Sequence, residues 1–264
     1  MTIHGEPHRG AMEIVDCSRW REGHRCRAEC APQVSLEHAM ELGRRVQEML
    51  EPPPFQRFEE VTADSWMSVS QRVGGDFQSI YSLGRRIRAI QGDVMGKGLN
   101  AALLAAYLVG LFEGLSRQEL PLPEVLARMN CCLAERTRNR PMFATALVLE
   151  VDLAAREWSF SRAGHELPLL VRYDGRICRL PKGGALPLGV DLQERFSAFH
   201  LPLQAGDRLL VYTDGALEVG LNQERLREAL TRPRLGIPDV VALLAAPPYR
   251  DDVSLLLLSC DPPT

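Results

Sequence analysis

Between Leu36 and Leu50 the apolar residues fall on one side of a helix. In "SLEHAMELGRRVQEML", Leu36, Met40, Gly43, Val46 and Leu50 recur at helical spacing with charges between them. Ser35 is placed to cap this helix, and Pro52, Pro53 and Pro54 end it, since proline cannot donate the helical hydrogen bond. Beyond the prolines the period shortens. "DSWMSVSQRV" (64–73) and "FQSIYSLG" (77–84) read as strands, and "RRIRAIQGDV" (85–94) is a strand that runs out at Asp93. A long apolar helix then opens near Gly98, and a second is predicted from Pro123 to Arg138. "MFATALVLEVDL", "EWSFSRAG", "LPLLVRYDGRICRL", "FSAFHLPL", "DRLLVYTDG" and "DDVSLLLLSC" supply further strands separated by turn residues. "NQERLREAL" (222–230) and "IPDVVALLAA" (237–246) have helical spacing. Strands clustered on either side of a central helical pair predict an α+β fold, with antiparallel sheets and helices outside them. Residues 1 to 34 show no sustained period, and the chain has no internal repeat.

Composition narrows the function classes. A chain of 264 residues holds one large domain with an appendage, or two small domains. The net charge of -3 argues against a general nucleic-acid binder and against a polybasic membrane anchor. The N-terminus lacks the apolar core of a signal peptide. The apolar run from Leu99 to Leu115 is just short of a spanning segment and contains Glu113, so it reads as a buried core helix. A soluble, cytoplasmic protein with no membrane association is expected. Seven cysteines without framework spacing suit a reducing compartment. Cys17, His24, Cys26 and Cys30 are potential zinc ligands, but their spacing is not that of paired knuckles. Cys131 and Cys132, adjacent on a predicted helix, read as core packing.

The loop "GDVMGKG" (92–98) raises the question of a phosphate cradle. A P-loop needs four residues between its first glycine and its Gly-Lys, followed by Ser or Thr. Here three residues separate Gly92 from Gly96, and Gly98 stands where the hydroxyl belongs. The aspartates are the stronger signal. Asp93 and Asp214 sit where apolar strands run into glycine turns, Asp76 follows two glycines, and Asp251 and Asp252 precede the last strand. Strand ends hold carboxylates rigidly, and glycine lets other groups approach. Carboxylates gathered at one point repel unless cations hold them, and an all-oxygen set favours magnesium or manganese over zinc. Any single Asp-Gly is also an ordinary turn. Asp174-Gly175, between two strand-like runs, is predicted to be a hairpin turn without a catalytic role.

The motifs "VGGDF", "GDVMGKGLNAALL", "FATALVLEVD", "AGHELPLLVR", "GGALPLGV", "GDRLLVYTDGALE" and "DDVSLLLL" follow an order that resembles the metal-dependent Ser/Thr protein phosphatases of the PPM family, in their bacterial SpoIIE and RsbU branch. The resemblance spans roughly residues 55 to 259. It implies two antiparallel β-sheets forming a β-sandwich flanked by α-helices, with a two-metal site at one edge. It implies a phosphatase domain over 55–260, preceded by residues 1–54. The helix in that first segment is either a regulatory or homodimerising arm or a helix packed on the domain. It further implies two Mn2+ or Mg2+ ions, with Asp93 bridging both, the Val94 carbonyl and Asp76 serving the second, and Asp214 and Asp251 the first. Asp93 and Asp214 would be the catalytic carboxylates. The substrate implied is a phosphoserine or phosphothreonine protein, by analogy an anti-anti-sigma protein in a partner-switching pathway. Two rivals are a catalytically silent binding module and a metal-dependent hydrolase of a small phosphorylated metabolite. Gln78 and Ser79 stand where the branch has an aromatic residue and an acid, and Met95 stands where eukaryotic relatives carry an acid histidine. His165 is either that missing acid or a structural histidine. Arg72 either grips phosphate or is an exposed strand arginine. Lys97 either contacts phosphate or is a solvated loop side chain.

Overall fold

The computed structural model describes residues 36–262, apart from 139, 141, 179, 222–223 and 225–235. In chain order it contains α1 (Leu36–Leu50), β1 (Phe55–Phe58), β2 (Val61–Ser68), β3 (Asp76–Leu83), β4 (Arg86–Val94), α2 (Leu99–Ser116) and α3 (Leu122–Thr137). Then come β5 (Ala144–Asp152), β6 (Glu157–Ala163), β7 (Leu169–Val171), β8 (Ile177–Cys178), β9 (Ala198–Pro202) and β10 (Arg208–Tyr212). The short helices α4 (Asp214–Glu218) and α5 (Ile237–Val241) precede the last strand, β11 (Val253–Cys260). The strands form a six-stranded sheet, β1-β2-β11-β10-β7-β8, and a five-stranded sheet, β3-β4-β5-β6-β9. Their ladders are antiparallel.

Three apolar layers account for this stacking. Between the sheets lie Ala63, Ala89, Leu147, Trp158, Phe160, Leu209, Val211 and Leu256. The outer face of the five-stranded sheet carries Phe77, Ile90 and Val148 against Leu108 and Phe112 of α2 and Leu126 and Met129 of α3. The outer face of the six-stranded sheet carries Leu210, Tyr212, Leu255 and Leu257 beneath Ala216 and Val240. β10 and β11 are therefore buried on both faces, which is why they read as unbroken apolar runs rather than alternating ones. By length and composition α2 could cross a membrane. Its Ala101, Ala105, Leu108 and Phe112 are nevertheless buried in the protein core, as expected of a core helix.

Several elements differ from the sequence reading. The strand predicted over 64–73 is β2, Val61–Ser68. It stops early because Asp252 draws the following segment away, accepting hydrogen bonds from the N–H and hydroxyl of Ser70 and the N–H of Gly75. The helix predicted over 237–246 ends at Val241. Cys131 is exposed rather than packed, because α3 buries Leu126, Met129, Asn130 and Leu133 instead. On α1, Val46 and Leu50 are exposed, and the buried residue is Gln47. Gln47 Nε2 donates to the Gly74 carbonyl, and the Gly74 N–H donates back to Gln47 Oε1. The reading of Ser35 as a cap, the Cys17/His24/Cys26/Cys30 group and most of the 222–230 helix lie outside the described residues.

Candidate active site

Both sheets send aspartates to one edge of the sandwich. Asp76 opens β3 and Asp93 ends the apolar run of β4, and the two are direct partners in the β3–β4 register. In the other sheet, Asp214 follows β10 as the first residue of α4, while Asp251 and Asp252 immediately precede β11, which pairs with β10. Side chains tie the two sheets together here. Asp76 Oδ2 accepts hydrogen bonds from the hydroxyls of Thr213 and Ser254, the former at 3.0 Å, and the Ser254 N–H donates to Thr213 Oγ1. Asp76 of one sheet is thus anchored to β10 and β11 of the other.

The glycines keep this edge open. A Cβ on Gly75 would sit 2.8 Å from the Val94 carbonyl oxygen and 3.1 Å from Asp93 Oδ1, so any larger residue would cover both. A Cβ on Gly215 would fall 1.9 Å from the Asp252 carbonyl oxygen, inside covalent-contact range. Gly96 and Gly98 adopt φ of +94° and +75°, which let the loop turn from β4 into α2.

The electrostatics are strained. Burial first, then the carboxylates of Asp214, Asp251 and Asp252, push Asp93 up to about 7. Burial, followed by Asp93, holds Asp76 well above the usual carboxylate range despite its two hydroxyl donors. Among the described residues only Lys97 makes an ion pair with this group, its Nζ lying 2.9 Å from Asp251 Oδ1 and also donating to the Arg250 carbonyl. Lys97 is therefore paired with an acid of the cluster.

A cleft of about 240 Å³ opens beside these acids, lined by Asp93, Thr145, Gly164, His165, Glu166, Thr213 and Asp214. His165 is buried, and burial followed by the neighbouring Arg162 lowers its pKa to about 3. A ring so reluctant to take a proton is not an acid at neutral pH, which favours the structural reading over the leaving-group acid. Arg72 lies apart from the cleft lining, with Nη1 3.7 Å from Glu41 Oε2 of α1. It stands in the loop after β2 rather than on a strand.

Do these residues suit a pair of divalent cations? The donors are hard oxygens, their negative charge is largely uncompensated, and Gly75 leaves a carbonyl and a carboxylate bare. No group of three or more His, Cys, Asp or Glu among the described residues is arranged to clamp one ion unaided. Cations here would complete their shells with the Val94 carbonyl and water, as magnesium commonly does. On that basis the set fits.

Sequence reasoning missed the supporting polar residues. Asp252 was picked out as an acid but not for this role: its carboxylate pins Ser70 and Gly75 and so fixes the loop that delivers Asp76. Thr213, Ser254 and Thr145 are the others. The available signal was position, since Thr213 directly precedes Asp214 and Ser254 stands two residues after Asp252, just before the apolar run Leu255–Leu258.

The same architecture recurs in solved structures. The SiaA-PP2C domain of Pseudomonas aeruginosa matches with a TM-score of 0.72 at 17% identity, covering 88% of this chain and 99% of that one. The RsbU and RsbW domains of Rv1364c from Mycobacterium tuberculosis match at 0.64 and 28% identity, covering 76% and 61%. Among curated proteins, phosphoserine phosphatase RsbP of Bacillus subtilis (strain 168) is 28% identical over 190 residues, 70% of this chain and 47% of RsbP. The chain thus spans about half the length of that relative, and 55% of phosphoserine phosphatase RsbU from the same organism, to which it is 21% identical. The sequence also matches the Stage II sporulation protein E (SpoIIE) family over residues 84–261, a stretch that takes in Asp93, Asp214, Asp251 and every strand from β4 to β11. With two thirds of its length inside that match and a PP2C-like sandwich around the acids, the chain belongs to the SpoIIE family of PPM-type phosphatase domains.

Proposed function

We propose that this chain hydrolyses phosphoserine or phosphothreonine on a protein, with two divalent cations, Mn2+ or Mg2+, as cofactors. The observation that carries this reading is the convergence of Asp76, Asp93, Asp214 and Asp251 from both sheets on one edge, beside a carbonyl that Gly75 leaves uncovered. In this reading Asp93 would serve both ions, with Asp214 and Asp251 for the first and the Val94 carbonyl and Asp76 for the second. Asp76, already bonded to Thr213 and Ser254, would act through water. Two such cations, when bound, lower the pKa of a shared water and neutralise phosphoryl charge. The chain itself contributes position: rigid strand ends fix the carboxylates, and Asp252 fixes the loop before Asp76.

The names of RsbP and RsbU, both phosphoserine phosphatases, support a phosphoserine substrate. The finer assignment is an anti-anti-sigma protein in a partner-switching pathway, met in the cytoplasm without nucleic acid or membrane. Residues 55–260 form the catalytic domain in this reading. Residues 1–54 form an arm whose helix, with Leu42, Val46 and Met49 exposed, serves self-association or partner control. Deleting residues 1–51 should then alter mass in solution, activity or partner response, and no change in any of the three would remove that role.

The test of the main reading is chelation. Activity on phosphopeptides should vanish in excess chelator and return with Mn2+ at least as well as with Mg2+, without any need for Zn2+. Phosphopeptides should be turned over faster than nucleotides or sugar phosphates. Activity that survives thorough chelation, or that returns with zinc alone, would sink it.

A further inference from the structure

His165 ends a polar relay that starts at the tip of β4. The Asp93 N–H donates to Thr145 Oγ1 at 3.2 Å, and Thr145 Oγ1 lies 3.0 Å from His165 Nδ1. Thr145 Oγ1 already accepts one hydrogen bond, and its own hydrogen has Nδ1 as acceptor. A neutral imidazole that accepts at Nδ1 carries its proton on Nε2. That Nε2 is buried and has no hydrogen-bond partner among the described residues, while the side chain lines the cleft beside Asp93, Glu166 and Asp214. Buried N–H groups are rarely left unpaired, because the desolvation cost is not recovered. The ring is also firmly placed. Arg162 donates to the His165 carbonyl and to the carbonyls of Lys182 and Gly183, which locks the turn that carries the histidine.

We propose that the His165 Nε2–H donates a hydrogen bond to a phosphoryl oxygen of the substrate held in the cleft. This rests on the phosphatase reading above and adds to it a neutral donor that stabilises charge without giving up its proton. The role differs from the leaving-group acid considered from the sequence, since no proton is transferred. It also differs from a purely structural role, for which the Thr145 contact at Nδ1 would suffice.

Two substitutions separate these roles. Asparagine places an acceptor near Nδ1 and can keep the Thr145 contact, but it leaves nothing at Nε2. Glutamine reaches the Nε2 position with an amide N–H. With Mn2+ and a phosphopeptide, His165→Asn should lower kcat/KM roughly a hundredfold and His165→Gln less than tenfold, a donor of this kind being worth about that much. Both should melt within a few degrees of wild type in chelator. The reverse order, with Asn more active than Gln, or wild-type activity in Asn, overturns the proposal. Selective 15N-histidine labelling gives a readout independent of turnover. At pH 7 with Mg2+, His165 should be the Nε2–H tautomer, and saturating inorganic phosphate should shift its Nε2 resonance. An Nδ1–H tautomer, or no shift, overturns the proposal. If wild type hydrolyses no phosphoprotein at all, the phosphatase reading falls, and the phosphate shift still decides whether this nitrogen contacts phosphate.

Discussion

β10 carries an aspartate at each end, and the two are treated in opposite ways. Before the strand, Asp207 is fully buried, and its Oδ2 takes hydrogen bonds from Arg172 Nη1, Trp158 Nε1 and the Gln204 N–H. After the strand, Asp214 accepts, among the described residues, its neighbour's Gly215 N–H, and its carboxylate raises the pKa of Asp93 across the cleft. One end meets the charge with a resident arginine, although Asp207 Oδ1 has no hydrogen-bond partner among the described residues. The other gathers carboxylates and leaves most of their charge unmatched. Buried charge is tolerated when it is paired and is otherwise driven toward neutrality. The difference therefore teaches which end of the sandwich is complete as a folded chain and which depends on ions from solution.

The sharpest way to break this contrast is to remove charge at the incomplete end. Asp93→Asn and Asp214→Asn should each lower phosphatase turnover by at least about a hundredfold, because the positions and roles of the ions depend on those charges. Both variants should stay folded, as judged by circular dichroism and by melting in chelator. Asp174→Asn is the control. Its carboxylate caps the β7–β8 hairpin by accepting the Arg176 N–H, so activity should be nearly intact. Full metal-dependent activity in Asp93→Asn would show that the two ends do not differ as argued.

At the complete end the expected loss is of stability. Asp207→Ala leaves the Trp158 N–H without its acceptor and the Arg172 guanidinium without its carboxylate, with only the Pro202 carbonyl still accepting from Nη1. Breaking a buried pair from one side costs about 3–5 kcal/mol, readable as a drop in the denaturation midpoint. Metal affinity measured by calorimetry should be unchanged where the variant remains folded. A variant that keeps wild-type stability but binds Mn2+ more weakly would invert the comparison.

The difference between the ends was half visible in the sequence. Asp76, Asp93, Asp214 and Asp251 stood out because each lies at a strand end beside glycine or another acid, and the structure brings them to one edge. The pattern alone carried the α+β class with antiparallel sheets, while the two-sheet sandwich was implied by the resemblance to the PPM phosphatases; β10 and β11, covered on both faces, belong to it. The partners were not legible. Arg172 meets Asp207 across 35 positions of chain, and Thr213 meets Asp76 across 137. Periodicity reports which face is buried and says nothing of which distant polar group shares it. Asp252 shows the cost: it reads as a duplicate of Asp251, yet it ends β2 early by capturing Ser70 from 182 positions away. On α1 the apolar stripe did not say which residues face the domain: Met40 and Gly43 are half-buried, Val46 is exposed, and two hydrogen bonds to Gly74 bury Gln47.

A smaller effect separates the ends by pH. The Asp93 pKa rises from the usual 3.8 to about 7, with burial the largest cause. Between those values the folded chain holds a proton that the unfolded chain has released. Stability in chelator should therefore fall as pH rises from about 4 to 7, with Asp93 alone contributing at most ~1.4 kcal/mol per unit and its contribution levelling off above. Asp76, also raised, acts in the same direction. Added Mn2+ or Mg2+ takes over the proton's role of neutralising charge, so the slope should flatten or reverse. Melting at pH 5 and pH 8, with and without cations, checks this, and Asp93→Asn should remove much of the slope. A slope that is the same in wild type and Asp93→Asn would assign it elsewhere.

The smallest expected effect is at Arg72, and it bears on where the incomplete end finds a cation for its substrate. The Arg72 side chain is half-exposed and reaches Glu41 of α1 at 3.7 Å, at the long limit of an ion pair. Exposed pairs of this kind contribute about 0–1 kcal/mol. Arg72→Ala should therefore change the melting temperature little, leave kcat intact and shift KM for a phosphopeptide by less than about threefold at physiological salt. Arginine can also grip phosphate with two parallel hydrogen bonds, a geometry lysine does not reproduce. Should Arg72→Ala raise KM tenfold or more with kcat unchanged, and Arg72→Lys fail to rescue it, the guanidinium must leave Glu41 to hold the substrate. The acid edge would then draw its substrate-binding cation from the loop after β2, and α1, through Glu41, would compete with substrate for it.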